Sequence, residues 1–224
     1  MRKNILQIIA VFKKELKSEI RSKIGISTIL LFVMTTITMI VFTTAGLKLQ
    51  EGVIAGLLWI IMFFTAMISI SRSFVSEEER GTGLLLQLIS SSSSVFLGKL
   101  LFNICLSFIT SIAILLMFFI FNDNVKIRTP EIFWLSMILG SLGISSCTTI
   151  ISAIISKSSS KSALFPILSF PILLPVIMIG VNSTKLGLEG WEFSRSVEDF
   201  NIMFGYIGIL TTVSFFLFDY VWKD

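Results

Sequence analysis

The sequence predicts an all-α membrane protein with six transmembrane helices, and three observations carry that prediction. First, the 224 residues are 54% hydrophobic and only 14% charged, with a mean hydropathy of +0.92, far from the composition of a soluble domain. Second, the charges cluster and leave uncharged runs at 24–47, 52–71, 100–122, 132–156, 162–184 and 200–218. Each run has the roughly 17–25 residues that a helix needs to cross hydrocarbon. Helix is required because a spanning segment must satisfy its backbone hydrogen bonds within itself. Barrel strands are about half as long and alternate polar with apolar residues, which these runs do not. Third, the cations are unevenly distributed among the connections. Thirteen Lys or Arg fall on one side (Arg2, Lys3, Lys13, Lys14, Lys17, Arg21, Lys23, Arg72, Arg80, Lys99, Lys157, Lys161, Lys223) and five on the other (Lys48, Lys126, Arg128, Lys185, Arg195). The positive-inside rule then puts both termini in the cytoplasm of a multi-pass protein, and the chain reads as a single transmembrane domain over 1–224.

The elements follow in order. Ile5, Ile8, Ile9, Phe12, Leu16 and Ile20 fall on one helical stripe, with Lys13, Lys14, Lys17 and Arg21 on or near the opposite side. This pattern fits an N-terminal amphipathic helix lying in the interface, its basic face toward anionic headgroups, or a plain cytosolic helix. The first apolar run starts only after 23 residues and is longer than a signal-peptide core, so no cleavable signal is expected. After the second run comes RSFVSEEERGTGLLLQLISSSSSVFLGK, residues 72–99. Three carboxylates in hydrocarbon would cost roughly 2.5–3.5 kcal/mol each near a helix centre, so Glu77, Glu78 and Glu79 are expected in solvent, on the cytoplasmic side. A break at Gly81-x-Gly83 precedes LLLQLI, in which Leu84, Leu85 and Leu88 share one face of a short surface helix. Ser90–Ser94 end that helix or cap the next. Physics alone leaves this connection as either an acidic loop or a docking element for a cytoplasmic partner.

Pro130 is placed near the start of the fourth span, whose Gly140, Ser141, Gly143, Ser145 and Ser146 suit close helix packing or a path-lining face. The fifth span, ALFPILSFPILLPVIMIG at 163–180, holds three of the four prolines. Pro166, Pro171 and Pro175 each remove a backbone donor and are expected to kink or interrupt it, as a mechanical bend or as a substrate-contacting break. The outer segment 185–201 reads as an amphipathic interfacial helix, with Trp191 a membrane-interface anchor or a partner contact.

Several chemistries are excluded by absence. There is no His, which removes the commonest haem or zinc ligand and the usual general base. Cys105 and Cys147 lie apart within spans and read as small buried residues, with neither a disulfide nor a metal site expected. No phosphate-cradling G-x-x-x-x-G-K-[ST], H-E-x-x-H or nucleophile elbow is present. No catalytic residue is assigned, no basic reading face points to nucleic acid, and any energy source is expected in another chain.

Taken together, FKKELKSEIRSK (12–23), GLLWIIMFFTAMISISRSFVSEEERGTGLLLQLISSSSSVFLGK (56–99) and KSALFPILSFPILLPVIMIG (161–180), in that order and spacing, resemble the CcmB family. That family comprises the membrane subunits of the cytochrome c maturation system, also described as haem exporter protein B. The family usually has a proline after its acidic-leucine segment, where this chain has Ser90–Ser94. The resemblance implies an ABC-2 type permease fold in a bacterial inner membrane, with more than one membrane subunit per complex. It also implies an ATP-binding partner, CcmA, and haem-handling partners CcmC, CcmD and CcmE. ATP would be bound by the partner, no cofactor by this chain directly, and haem would be a substrate of the complex. ATP hydrolysis would drive haem delivery or release of haem-loaded CcmE. Residues 76–88 become the coupling helix, with Glu77, Glu78 and Arg80 for polar contact and Gly81 and Gly83 for the turn. Leu84 and Leu88 insert toward partner or bilayer, and the kinked fifth span relays movement. Two other classes remain open: an ABC-2 permease exporting a lipid or drug-like substrate, and a non-transporting membrane scaffold.

Overall fold

A computed structural model describes the chain except at positions 1, 22, 45–46, 71, 80, 123–124, 159–160 and 224, with backbone alone at 2–3, 23–24, 72, 161–163 and 223. The described residues form helices α1 (Arg2–Arg21), α2 (Lys23–Thr44), α3 (Glu51–Ser69), α4 (Arg72–Glu79), α5 (Gly83–Ile89), α6 (Ser92–Phe121), α7 (Pro130–Ser156), α8 (Lys161–Glu189) and α9 (Val197–Lys223), with a 3-10 turn at Phe193–Ser196 before α9. Among the described residues six helices are long and apolar enough to cross a membrane, as the sequence predicts.

Helix ends obey local chemistry. Glu51 stands in the first turn of α3, Glu131 in that of α7, and Glu198 and Asp199 in that of α9, each favourable beside the positive end of a helix dipole. Pro130 occupies the first turn of α7, where its missing donor costs nothing. At 30 residues, α6 is about 45 Å long, well beyond the ~30 Å of hydrocarbon. Its first turns, with Lys99, therefore extend past the apolar run beginning at 100.

Helix α7 is the buried centre and packs most extensively on α8, then on α9 and α6. Its small residues allow that approach. Trp59 of α3, fully buried, lies against Gly140 of α7 and Gly180 of α8, where an added Cβ would overlap its indole ring. Its Nε1 donates to Thr184 Oγ1 at 2.9 Å, and the Thr184 hydroxyl donates to Ser136 Oγ at 3.3 Å. The polar residues of α7 thus pack and hydrogen-bond: Ser141 meets Ser111 at 3.0 Å, and Thr149 accepts from Asn103 Nδ2 at 2.8 Å.

Three expectations are corrected. Segment 185–201 holds no separate interfacial helix. Residues up to Glu189 complete α8, Gly190 (φ +89) reverses the chain, and α9 starts at Val197. Helix α8 runs unbroken through Pro166, Pro171 and Pro175, so of the expected kink or interruption it is interruption that is overturned; proline is tolerated within a spanning helix where neighbours satisfy the freed carbonyls. Cys147 is buried as expected, but Cys105 is exposed, on the outer side of α6.

Candidate functional site

One end of the bundle gathers the charged connection, α1 and the end of α9. Helix α4 ends through two backbone bonds, Thr82 N–H to Glu77 O at 3.0 Å and Gly81 N–H to Glu78 O at 3.1 Å. This is the 6→1 and 5→2 pairing of a Schellman motif, which needs a left-handed residue after the helix. Gly81, at φ +65, supplies it. Gly83 has no such backbone demand and simply starts α5, although a Cβ there would sit 3.2 Å from Glu78 Oε2. Of the two glycines, therefore, only Gly81 makes the turn.

Helix α5 then presents Leu84, Leu85, Leu88 and Ile89 outward, Leu88 at 86% exposure. The face inferred from the leucine spacing is present and uncovered in the chain. Gln7 Nε2 donates to Ile89 O at 3.2 Å and Gln87 Nε2 donates to Trp222 O, so α1 and α9 hold this short helix from two sides. Ser90 ends α5 and Ser91 precedes α6, so the serine run both ends one helix and opens the next.

The three carboxylates separate. Glu78 and Glu79 are exposed, in line with the expectation of solvation. Glu77 is buried, at 6% exposure, and this corrects the sequence reading. Its Oε1 pairs with Lys14 of α1 and lies 3.6 Å from Lys99 Nζ of α6. Its Oε2 accepts from Thr82 Oγ1 at 2.7 Å. Lys99, at 0% exposure, also contacts Glu15 Oε1 of α1 at 2.9 Å, donates to Ser73 O, and lies 4.7 Å from the centroid of the Phe74 ring. Lys14 and Glu15 stand 3.4 Å apart. The four groups close a ring of alternating sign that joins α1, α4 and α6. Burial disfavours the charges of Glu15, Glu77 and Lys99, while Lys14 reaches solvent; mutual pairing and the added hydrogen bonds make the arrangement tolerable for the buried three. Below it, Phe74, Phe96, Phe218 and Trp222 pack ring on ring, with Phe218 and Trp222 stacked at 5.4 Å.

Sequence reasoning missed Lys14, Glu15, Lys99 and Thr82. Lys99 counted only toward orientation, although a lone cation inside VFLGKLLF was a signal that a partner must exist. Glu15 lies one turn after Val11, and both are buried. Gly98 seats this face closely: an added Cβ would lie 2.9 Å from Ile8 O. The stripe of Ile5, Ile9, Leu16 and Ile20 instead points outward.

The remaining expected residues lie elsewhere. Arg80 falls outside the described residues. Pro166, Pro171 and Pro175 sit within α8, remote in sequence from this end's connection. Trp191 is exposed at the opposite end, its Nε1 donating to Glu189 Oε2 at 2.6 Å and the Arg195 guanidinium carbon 5.3 Å from its ring centroid. Among the described residues no group of His, Cys, Asp or Glu is arranged to hold a metal ion.

Fold and composition define a polytopic α-helical membrane protein. Comparison with known proteins makes this specific. A sequence model of the CcmB protein family matches residues 6–218, and the chain belongs to that family. It is also similar to heme exporter protein B of Rhodobacter capsulatus, with 23% identity over 188 residues, covering 81% of this chain and 84% of that protein. The resemblance drawn from the acidic-leucine and proline-rich segments is thereby confirmed at the level of the family.

Proposed function

We propose that the chain is the membrane permease subunit of an ABC complex for c-type cytochrome biogenesis, in a bacterial inner membrane with both termini cytoplasmic. A partner of the CcmA kind hydrolyses ATP, and this chain couples that work to haem delivery or to release of haem-loaded CcmE from an assembly with CcmC and CcmD. The carrying observation is α5: four outward apolar side chains on a two-turn helix, beside exposed Glu78 and Glu79, held at one end by α1 and α9. Such an uncovered apolar face beside exposed carboxylates fits insertion into a partner. Family membership supports a partner of the CcmA kind. On this reading Glu78 and Arg80 make polar contact with the partner, Leu84 and Leu88 insert into it and Gly81 sets the turn, while Glu77 acts from inside the chain.

Movement delivered to α5 passes into the bundle, and α8 is the helix suited to flex. Proline at 171 and 175 deprives Ile167 O and Pro171 O of their helical donors, and Tyr206 of α9 donates to the nearby Ile172 O at 2.7 Å. The test is co-purification from gently solubilised membranes, comparing wild type with Glu78→Lys/Arg80→Glu. Wild type is expected to bring an ATP-binding subunit and haem-handling proteins, and the variant to lose the ATPase. An ATPase without haem-handling proteins would remove the substrate assignment, and unchanged capture and ATPase response in the variant would remove the docking assignment.

A further inference from the structure

Three members of the ring, Lys99, Glu15 and Glu77, are buried and not available for direct contact with a partner, and only Lys14 reaches the surface, with 43% of its side chain exposed. Nor is the ring the cheapest way to hold three helices together: apolar residues of similar volume commonly stabilise a buried site as well as an ion pair does. What an apolar cluster lacks is direction. Each carboxylate here is fixed at defined oxygens to groups on other elements, 63 residues apart for Lys14 and Glu77 and 84 for Glu15 and Lys99. We propose that this ring is a positioning joint: Lys99 is its hub on α6, Glu77 locks α4 and the Gly81 turn to it, and Glu15 locks α1.

The geometry divides the labour. Glu77 has one oxygen toward Lys14 and Lys99 and the other on Thr82 Oγ1, the residue that opens α5. Displacement of the exposed leucines therefore acts on Lys99, and through it on α6 and α1. Without the ring, the Gly81 turn would lose its tie to α6 and α1, α5 would keep only the Gln7 and Gln87 bonds, and part of a push would be absorbed at the turn. These are positioning residues for the coupling role proposed above, and the inference rests on that reading for its consequence though not for its geometry.

Electron-spin distance measurements on the full chain in lipid nanodiscs test it, with Cys105 and Cys147 replaced by Ala. One label pair joins α1 to α6 (Lys13→Cys with Ile109→Cys) and another joins α5 to α6 (Leu85→Cys with Ile109→Cys). Both pairs are expected to give a single narrow distance in the parent. Glu15→Gln leaves Glu77 with both lysines and is expected to broaden the α1–α6 distance alone. Lys99→Met leaves two facing carboxylates against one lysine; it is expected to broaden both distances and to lower membrane abundance. The compensated Lys99→Met/Glu77→Gln chain has no surplus charge, so abundance and melting temperature are expected to recover while the α5–α6 distance stays broad. Recovery of a narrow α5–α6 distance in that chain would reduce the ring to ordinary packing and overturn the proposal. So would a Glu15→Gln chain in which both distances stay narrow, and that result is readable even if Lys99→Met fails to accumulate. Because the distances need no partner, failure here is separate from failure of co-purification, which bears on the proposed function itself. In the assembled complex, the compensated chain is expected to retain the ATPase but to lose its effect on the ATPase rate.

Discussion

Gly180 offers a measurable test of how the bundle is packed. A Cβ at this position would lie 2.6 Å from Trp59 Cε2 and nearer still to two other ring atoms. The ring cannot slide freely, because it is fully buried, also lies against Gly140, and donates to Thr184 at 2.9 Å. Gly180→Ala therefore forces either the indole or α8 to shift. Overpacking of this kind costs about 1–3 kcal/mol, and loss of the Trp59–Thr184 bond adds about 0.6 kcal/mol in a bilayer setting. Against this, replacing a helical glycine by alanine returns up to about 1 kcal/mol. The net is a loss of roughly 1–3 kcal/mol, or about 3–10 °C in melting temperature if this chain scales as domains of its size do. The controls are Gly205→Ala and Gly208→Ala in α9, where an added Cβ meets nothing within 4 Å; these are expected to be neutral or stabilising. The assay is loss of the monodisperse chromatographic peak after heating detergent-solubilised protein, together with a Trp59→Leu/Gly180→Ala chain. Removing the indole is expected to abolish most of the extra cost of alanine at 180. Equal melting of the Gly180 and Gly205 variants, or an undiminished penalty in the Trp59→Leu background, would refute the wedge.

Other outcomes follow from the same geometry. Leu84→Asp/Leu88→Asp should leave the melting temperature within about 2 °C, since both side chains are exposed and surface changes usually stay within ~0.5 kcal/mol, yet should abolish capture of the ATP-binding subunit. Gly81→Val should cost about 1–2 kcal/mol at the α4–α5 turn, because its φ of +65 is strained for a β-branched residue; protease sensitivity confined to 72–91 would register it. Cys105 is exposed on a span and Cys147 is buried within the bundle, so a lipid-dissolved photoreactive carbene probe should modify Cys105 in folded protein and Cys147 only after unfolding, as mass spectrometry of the two peptides would show.

How much of this was legible in the sequence differs by length scale. The six spans, the Gly81 turn, the leucine face and the proline at the start of α7 depend on residues within one or two turns of one another, and pattern reading found them. Segment 185–201 misled because its aromatic and acidic residues have the right composition for an interfacial helix. Gly190 with a left-handed backbone instead divides them between two long helices. Cys105 misled because a span says nothing about which side of a helix faces lipid.

Glu77 shows the deeper limit. Reasoning from desolvation correctly forbids an unpaired carboxylate in an apolar setting, and from the sequence the simplest escape is solvent. Pairing is the other escape, and its partners lie on α1 and α6, 63 residues before Glu77 in one case and a span boundary away in the other. Yet the same rule applied to Lys99 would have asked the complementary question. A lysine among Val95, Phe96, Leu97, Leu100 and Leu101 needs an anion, and few carboxylates on its side of the membrane are near enough to an apolar surface to serve. Glu15, one turn beyond Val11, and Glu77, one turn beyond Phe74 and Ser73, both meet that condition, whereas Glu78 and Glu79 point away. Buried charges in a membrane protein are therefore better read as a set to be balanced than one at a time, and the ring at the root of α5 is what that balance looks like here.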